Sequence, residues 1–217
     1  MTPPIILLTG FDQFGGETTN PSWEVASRLA EATIGSARVK ALRLPVDCKR
    51  AAAEIKTAIA RLKPAAVIGL GQAGGRTALS IEKIAINLAD ESADHESGEC
   101  AAGRPLVRGG PDAYFARLPI PSMIEAITRR EIPAVMSLSA GAYVCNAVMY
   151  ITLHALRRRP EIPAGFIHLP FAAAQATLHA SRPSMGLDLM TVGVETALTE
   201  VARRLKRPKK SIPARRL

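Results

Sequence analysis

Apolar and polar positions along this chain fall into blocks whose repeat switches between two residues and about 3.6, the periods of strands and helices. Short apolar runs near residues 5–9, 38–44, 65–70, 80–87, 132–138 and 164–169 read as strands. Segments with helical spacing lie near 21–34, 47–62, 120–130, 145–158 and 187–205. In the second of these, Asp47 is placed as an N-cap, and Cys48, Ala51, Ala52, Ile55, Ala58, Ile59 and Leu62 recur on one face. Strands alternating with helices predict an α/β domain around a largely parallel sheet. No internal repeat interrupts the alternation. Leu88 to Pro119 is the one long polar, glycine-rich connection, and connections of that length tend to be functional lids or disordered segments.

Composition narrows the class. A chain of 217 residues suits a single domain with a sizeable core. With only nine aromatics, that core is built from Ala, Leu, Ile and Val. There is no cationic start followed by an apolar stretch, and no apolar run long enough to span a bilayer, so no membrane association is expected. Cys48, Cys100 and Cys145 are odd in number and lack disulfide-framework or CxxC spacing, which points to a reducing cytoplasm. No spacing resembles a metal site, and no metal or cofactor is expected. The net charge of +9 hints at nucleic acid until it is located. Residues 203–217 hold eight cations and no acid, which leaves +1 for the other 202 residues. A body so close to neutral has no electrostatic footprint for a duplex, so a nucleic-acid function is set aside. Residues 1–205 read as the single folded domain. Residues 206–217, broken by Pro208 and Pro213, read as a basic, disordered tail.

Candidate chemistry centres on Cys145. The run Ser139-Ala140-Gly141-Ala142-Tyr143-Val144-Cys145-Asn146 follows the apolar segment Ile132–Leu138 and leads into a buried helix. Its small residues allow a sharp turn, and Cys145 lands near the first turn of the helix. Backbone N–H groups and the helix dipole there favour thiolate over thiol and would stabilise an oxyanion. A buried structural cysteine fits the same position. In Ala164-Gly165-Phe166-Ile167-His168-Leu169-Pro170, His168 closes a core strand at its carboxyl end, where open α/β sheets form their crevices. There it could take a thiol proton near neutral pH, or simply be a hydrogen-bonded structural histidine. His95 lies in a polar loop, His154 well inside a helix and His179 in an irregular stretch. Alternation over Ser80–Asn87 puts Glu82 on one face with Ile84 and Ile86. A carboxylate on an apolar face needs a partner, which an imidazole N–H would supply. If the face of Ile81 and Ala85 is the buried one, Glu82 is only a solvated residue.

Gly69, Gly71 and Gly74 also satisfy G-x-G-x-x-G after a strand, with Asp90 and Glu91 about twenty residues on, the fingerprint of a dinucleotide site. The context is wrong. The fingerprint should open a helix after the first strand, whereas Thr77 onward reads as another strand, so an NAD-dependent oxidoreductase is disfavoured.

Four motifs together resemble pyroglutamyl peptidase type I, cysteine peptidases that remove an N-terminal pyroglutamyl residue from peptides. They are Thr9-Gly10-Phe11-Asp12-Gln13-Phe14-Gly15-Gly16 through Asn20-Pro21-Ser22-Trp23, Gly69 through Glu82, the stretch around Cys145-Asn146, and Phe166-Ile167-His168-Leu169-Pro170. They occur in the family's order, and the likeness runs over roughly residues 5–205. The resemblance implies a three-layer α/β/α sandwich with a largely parallel, mixed and twisted sheet, related to the nucleoside phosphorylases and commonly assembled as a tetramer. It implies a triad of Cys145 as nucleophile, His168 and Glu82. It also implies pocket walls from Phe11, Phe14, Tyr143 and Val144, with Asn20 and Gln72 as polar contacts. Asn20 is equally an N-cap before Pro21, its backbone capping while its side chain turns inward. The partners implied are pyroglutamyl peptides and further copies of the chain, as dimer or tetramer. A catalytically weakened binding protein on the same fold is the alternative. The chain departs from the family where an arginine and an isoleucine are replaced by Ser92 and Ala93, and where Phe171-Ala172-Ala173-Ala174-Gln175 follows the histidine.

Overall fold

The computed structural model describes residues 2–89, 103–179 and 181–205. Its first half contains β1 (Ile5–Phe11), α1 (Pro21–Arg28), β2 (Thr33–Ile34), β3 (Ala37–Leu44), α2 (Cys48–Leu62), β4 (Ala66–Gln72), β5 (Leu79–Glu82) and β6 (Ile84–Ile86). Then follow β7 (Ala113–Phe115), α3 (Ile120–Thr128), β8 (Ala134–Ser137), α4 (Val144–Ala155), β9 (Ala164–Leu169), β10 (Phe171–Ala172), a 3-10 turn (Ala173–Thr177), β11 (Ser184–Met185) and α5 (Leu187–Leu205).

Seven strands form one sheet in the order β2-β3-β1-β4-β9-β5-β8. β3, β1, β4 and β9 run parallel. β2 pairs antiparallel with β3, and β5 antiparallel with β9 but parallel with β8. The sheet is therefore mixed and mostly parallel, as expected. The unbroken apolar runs of β1, β4 and β9 are explained by burial on both faces. α2 and α4 pack together on one side, and α1, α3 and α5 on the other. This is the three-layer arrangement, and its core lies in both interlayer spaces. Asp47 caps α2 as predicted, accepting from the Arg50 N–H at 2.7 Å. None of the described helices is long and apolar enough to cross a membrane.

Three expectations need correction. α1 stops at Arg28 rather than continuing to residue 34, because Glu31 turns left-handed (φ 65°) and Thr33–Ile34 adds to the sheet edge through Gly35. The segment 80–87 is two strands, not one. At Lys83, whose N–H donates to the Ser137 carbonyl, the chain leaves the main sheet, and β6 pairs antiparallel with β7. Glu82 thus shares no continuous strand face with Ile84 and Ile86, and both faces of β5 are buried. The stretch from Leu88 to Pro119 is not irregular throughout either, since it contains β7. Asn87 also ties its chain down, its amide donating to Val107 O and accepting from the Val107 N–H, each at 2.9 Å. The tip of that connection, including Ser92, Ala93 and His95, and the tail 206–217 lie outside the described residues.

Candidate active site

Because β1, β4 and β9 run in one direction, their carboxyl ends converge and bring Phe11, Gln72 and His168 to the same edge of the sheet. α1 begins beside them. At Gly10 a Cβ would lie 2.5 Å from the Ser22 carbonyl oxygen, so only glycine lets the strand approach the helix this closely. Ser22 Oγ accepts the Phe11 N–H at 3.0 Å. The side chain of Asn20, and not merely its backbone, caps α1. Its Oδ1 accepts from the Ser22 N–H at 3.0 Å and from Ser22 Oγ at 2.8 Å, while Nδ2 donates to Asp12 O at 2.8 Å. That commitment leaves Asn20 one amide hydrogen for anything else.

Cys145 is the second residue of α4, and the turn before it uses Gly141 at φ 74°. Its sulfur lies over β4, because a Cβ on Gly71 would sit 2.8 Å from Sγ. Gly71 pairs in register with His168, so the thiol and the imidazole occupy adjacent strands. The glycines of the G-x-G-x-x-G run therefore serve packing. A Cβ at Gly69 or Gly71 would strike the Phe166 ring and one at Gly74 the Phe171 ring, and the chain continues into β5 rather than a helix. Asn146, fully buried, clamps the start of α4 to β6. Its Oδ1 accepts the Ile86 N–H at 2.9 Å, and Nδ2 donates to the carbonyls of Ile86 and Leu88.

His168 Nδ1 lies 2.7 Å from Glu82 Oε1, and both residues are buried. With Nδ1–H donating to that oxygen, Nε2 keeps a lone pair and can act as a base. Arg76 donates to the same oxygen at 2.8 Å and through its other nitrogen to Ser139 O at 3.2 Å, which links the acid to the turn before Cys145. Glu82 Oε2 has no hydrogen-bond partner among the described residues. Burial lowers the imidazole pKa, and the hydrogen bond and charge of Glu82 oppose that fall. Burial, reinforced by the Glu82 charge, pushes the Cys145 thiol up to about 12, against the smaller pull of Arg76 and the backbone N–H. The expectation of a dipole-stabilised thiolate is thus overturned at rest, since desolvation outweighs the helix terminus. Burial thus favours the thiol over the thiolate and the neutral imidazole over the imidazolium, and no hydrogen bond joins the two side chains.

Phe11, Phe14, Asn20, Gln72, Tyr143 and Val144 all line one cavity of about 30 Å3 that opens onto Cys145, together with Val46. The structure thus brings these six residues to one cavity at Cys145, while His168 and Glu82 do not line it. A larger cavity of about 830 Å3, at Arg117, Glu161 and Arg204, has no cysteine, serine or histidine among its lining residues. His154 bonds to Tyr114 and His179 to Glu17, so neither joins Cys145. Among the described residues no cluster of His, Cys, Asp and Glu could hold a metal ion.

The pyroglutamyl peptidase family model matches residues 5–204. The chain belongs to that family. It is 43% identical over 193 residues to a pyrrolidone-carboxylate peptidase of Escherichia fergusonii, covering 89% of this chain and 90% of that one. It is 42% identical to the enzyme of the same name from Yersinia pestis, over 89% and 91% of the two chains. Among solved structures, pyroglutamyl peptidase I of Bacillus amyloliquefaciens superposes with a TM-score of 0.88 at 38% identity, over 94% of this chain and all of that one. A pyrrolidone carboxyl peptidase from Pyrococcus furiosus gives 0.88 at 36% identity, over 93% and 99%. For a member of this family, sequence reasoning missed Arg76, Val46 and the contacts of Gln175. A signal for Arg76 existed, since a buried acid needs partners and the nearest cation preceding Glu82 stands six residues earlier.

Proposed function

We propose that this chain is a cysteine peptidase that hydrolyses the bond after an N-terminal pyroglutamyl residue of peptides. The observation that carries the reading is the Arg76–Glu82–His168 chain of contacts, ending beside a thiol at a helix N-terminus. Sγ of Cys145 attacks the pyroglutamyl carbonyl carbon while His168 Nε2 takes the thiol proton, so the charged pair forms only as the C–S bond does. First-turn N–H groups of α4 face the developing oxyanion. The C–N bond breaks as His168 returns the proton to the leaving amine, leaving a thioester. Water then attacks the thioester with His168 taking its proton, and the released sulfur is reprotonated. Glu82 keeps the ring in the tautomer that this cycle needs and stabilises the transient imidazolium.

Pyroglutamate is a small neutral lactam, which suits apolar walls with a few placed polar groups. Phe11, Phe14, Tyr143 and Val144 supply the walls, and Gln72 with the remaining Asn20 hydrogen supplies the polarity. A cavity of about 30 Å3 must widen to admit the ring. Peptides beginning with glutamine or proline should be poor substrates, since one brings a charged amine and the other lacks the ring carbonyl. The reading extends to a cytoplasmic setting and to a homo-oligomer, dimer or tetramer, while the expectation of cysteines outside any disulfide is corrected at Cys48, which is disulfide-bonded. The edge strand β8 supports the latter, since it exposes Val135 and Met136, with Leu138 just beyond it. Residues 1–205 form the catalytic domain in this reading, and 206–217 a basic tail. Turnover of pyroglutamyl-β-naphthylamide under reducing conditions, absent in Cys145→Ala, tests it. Equal rates on prolyl-β-naphthylamide would refute the pocket.

A further inference from the structure

Gln175 is 2% exposed and lies in the 3-10 turn after β10. Its Oε1 accepts the Ala172 N–H at 2.9 Å. The two hydrogens of its Nε2 are shared among Glu17 Oε2 at 3.0 Å, Thr19 O at 3.3 Å and Gln72 Oε1 at 3.0 Å. A side-chain amide can ordinarily be turned over, exchanging its oxygen and nitrogen. Here it cannot. A backbone N–H on one side can donate only to the oxygen, and a carboxylate and a backbone carbonyl on the other can accept only from the nitrogen. The Gln72 atom facing Gln175 must therefore be its oxygen. The NH2 is then the polar group that Gln72 can offer the cavity beside Cys145, and it has no partner among the described residues. Glu17 anchors the arrangement from behind, because its Oε1 bonds to His179, whose ring stacks on Phe171 at 4.3 Å.

We propose that Gln175 is a specificity-determining positioning residue, which fixes Gln72 as a hydrogen-bond donor and so selects a substrate ring bearing a carbonyl acceptor. The inference rests on Gln72 lining the pyroglutamyl pocket, as in the reading above. Reversed, Gln72 would set its own carbonyl against the lactam carbonyl. The acceptor-for-acceptor mismatch would weaken ring binding and leave the cysteine chemistry intact.

The test compares Gln175→Glu, Gln72→Met and the double variant on pyroglutamyl-β-naphthylamide. A carboxylate at 175 presents only acceptors to Gln72, which should turn its NH2 toward it. We expect KM to rise about tenfold, the scale of one misdirected hydrogen bond in a closed site, with kcat within about threefold. Iodoacetamide should alkylate Cys145 in the free variant at the wild-type rate, a readout that damage to the catalytic centre would change. Gln72→Met should raise KM by itself, and Gln175→Glu should add nothing to it, because both remove one contact. If Gln175→Glu does not fold, Gln175→Met takes its place in the same cycle. An unchanged KM at 175 with a raised KM for Gln72→Met, or strictly additive effects, would overturn the relay and leave the pocket standing. An unchanged KM for Gln72→Met would instead overturn the pocket reading and the relay with it.

Discussion

The proposed catalytic centre and the proposed substrate pocket lie side by side but are held in different ways. Glu82 and His168 project from paired strands deep in the sheet, and Cys145 from the first turn of a helix clamped by buried Asn146. Their placement follows from strand register. Phe14, Gln72, Tyr143 and Asn20 stand at element ends or on loops, and their orientation depends on side-chain contacts such as the Asn20 cap and the amides of Gln175 and Gln72. In the proposed function, chemistry rests on the backbone framework and selectivity on side-chain hydrogen bonds that single substitutions can redirect. Changes at the centre should therefore alter kcat, and changes at the pocket KM.

The largest effect expected is that of Cys145→Ala, which should lower turnover by about four orders of magnitude or more while leaving the melting transition in place. Retained activity would end the comparison, since the centre would then lie elsewhere. His168→Ala should come close to it, and Glu82→Gln should be milder, at about 10²- to 10³-fold in kcat, because it disturbs orientation rather than removing the base. A Glu82→Gln variant as inactive as His168→Ala would give the acid a larger electrostatic part.

Proton affinities sharpen the contrast next. Because the thiol is pushed up to about 12, iodoacetamide alkylation of the free protein should still be accelerating at pH 10, whereas an ion pair would plateau near neutrality. The His168 pKa is lowered, so the base remains neutral below its ordinary pKa of 6.5, and the acid limb of kcat/KM should fall below that pH. Arg76 lowers both affinities. Arg76→Met should raise that acid limb and cut kcat by about tenfold with KM little changed, as pH profiles of the two proteins would reveal. The smallest effect belongs to the pocket side. Asn20→Ala removes the α1 cap and should destabilise by about 1 kcal/mol, or about 2–4 °C in melting temperature for a chain of this size.

The residues proposed to carry chemistry were singled out because each stands at a break in a local pattern. Cys145 follows a run of small residues, His168 precedes a proline, and Glu82 interrupts an apolar segment. The N-cap at Asp47 and the helix start at Asn20-Pro21 were legible for the same local reasons. What local pattern did not carry was long-range. The break at Lys83 depends on a bond to Ser137, fifty-four residues away in the chain, and the pairing of β6 with β7 spans the long connection. The thiol's proton affinity was misjudged because the helix terminus can be read from sequence, while burial under neighbouring elements cannot.

Gly71 contributes no functional group, yet a methyl there would lie 2.8 Å from both the Cys145 sulfur and the Phe166 ring. In a saturation mutagenesis map it should therefore score among the most intolerant positions, alongside Cys145, His168 and Glu82. Sorted by phenotype alone it would be counted as part of the reaction machinery. What it supplies is vacant volume, shaped to one sulfur atom and one aromatic edge, and every larger side chain takes that volume away.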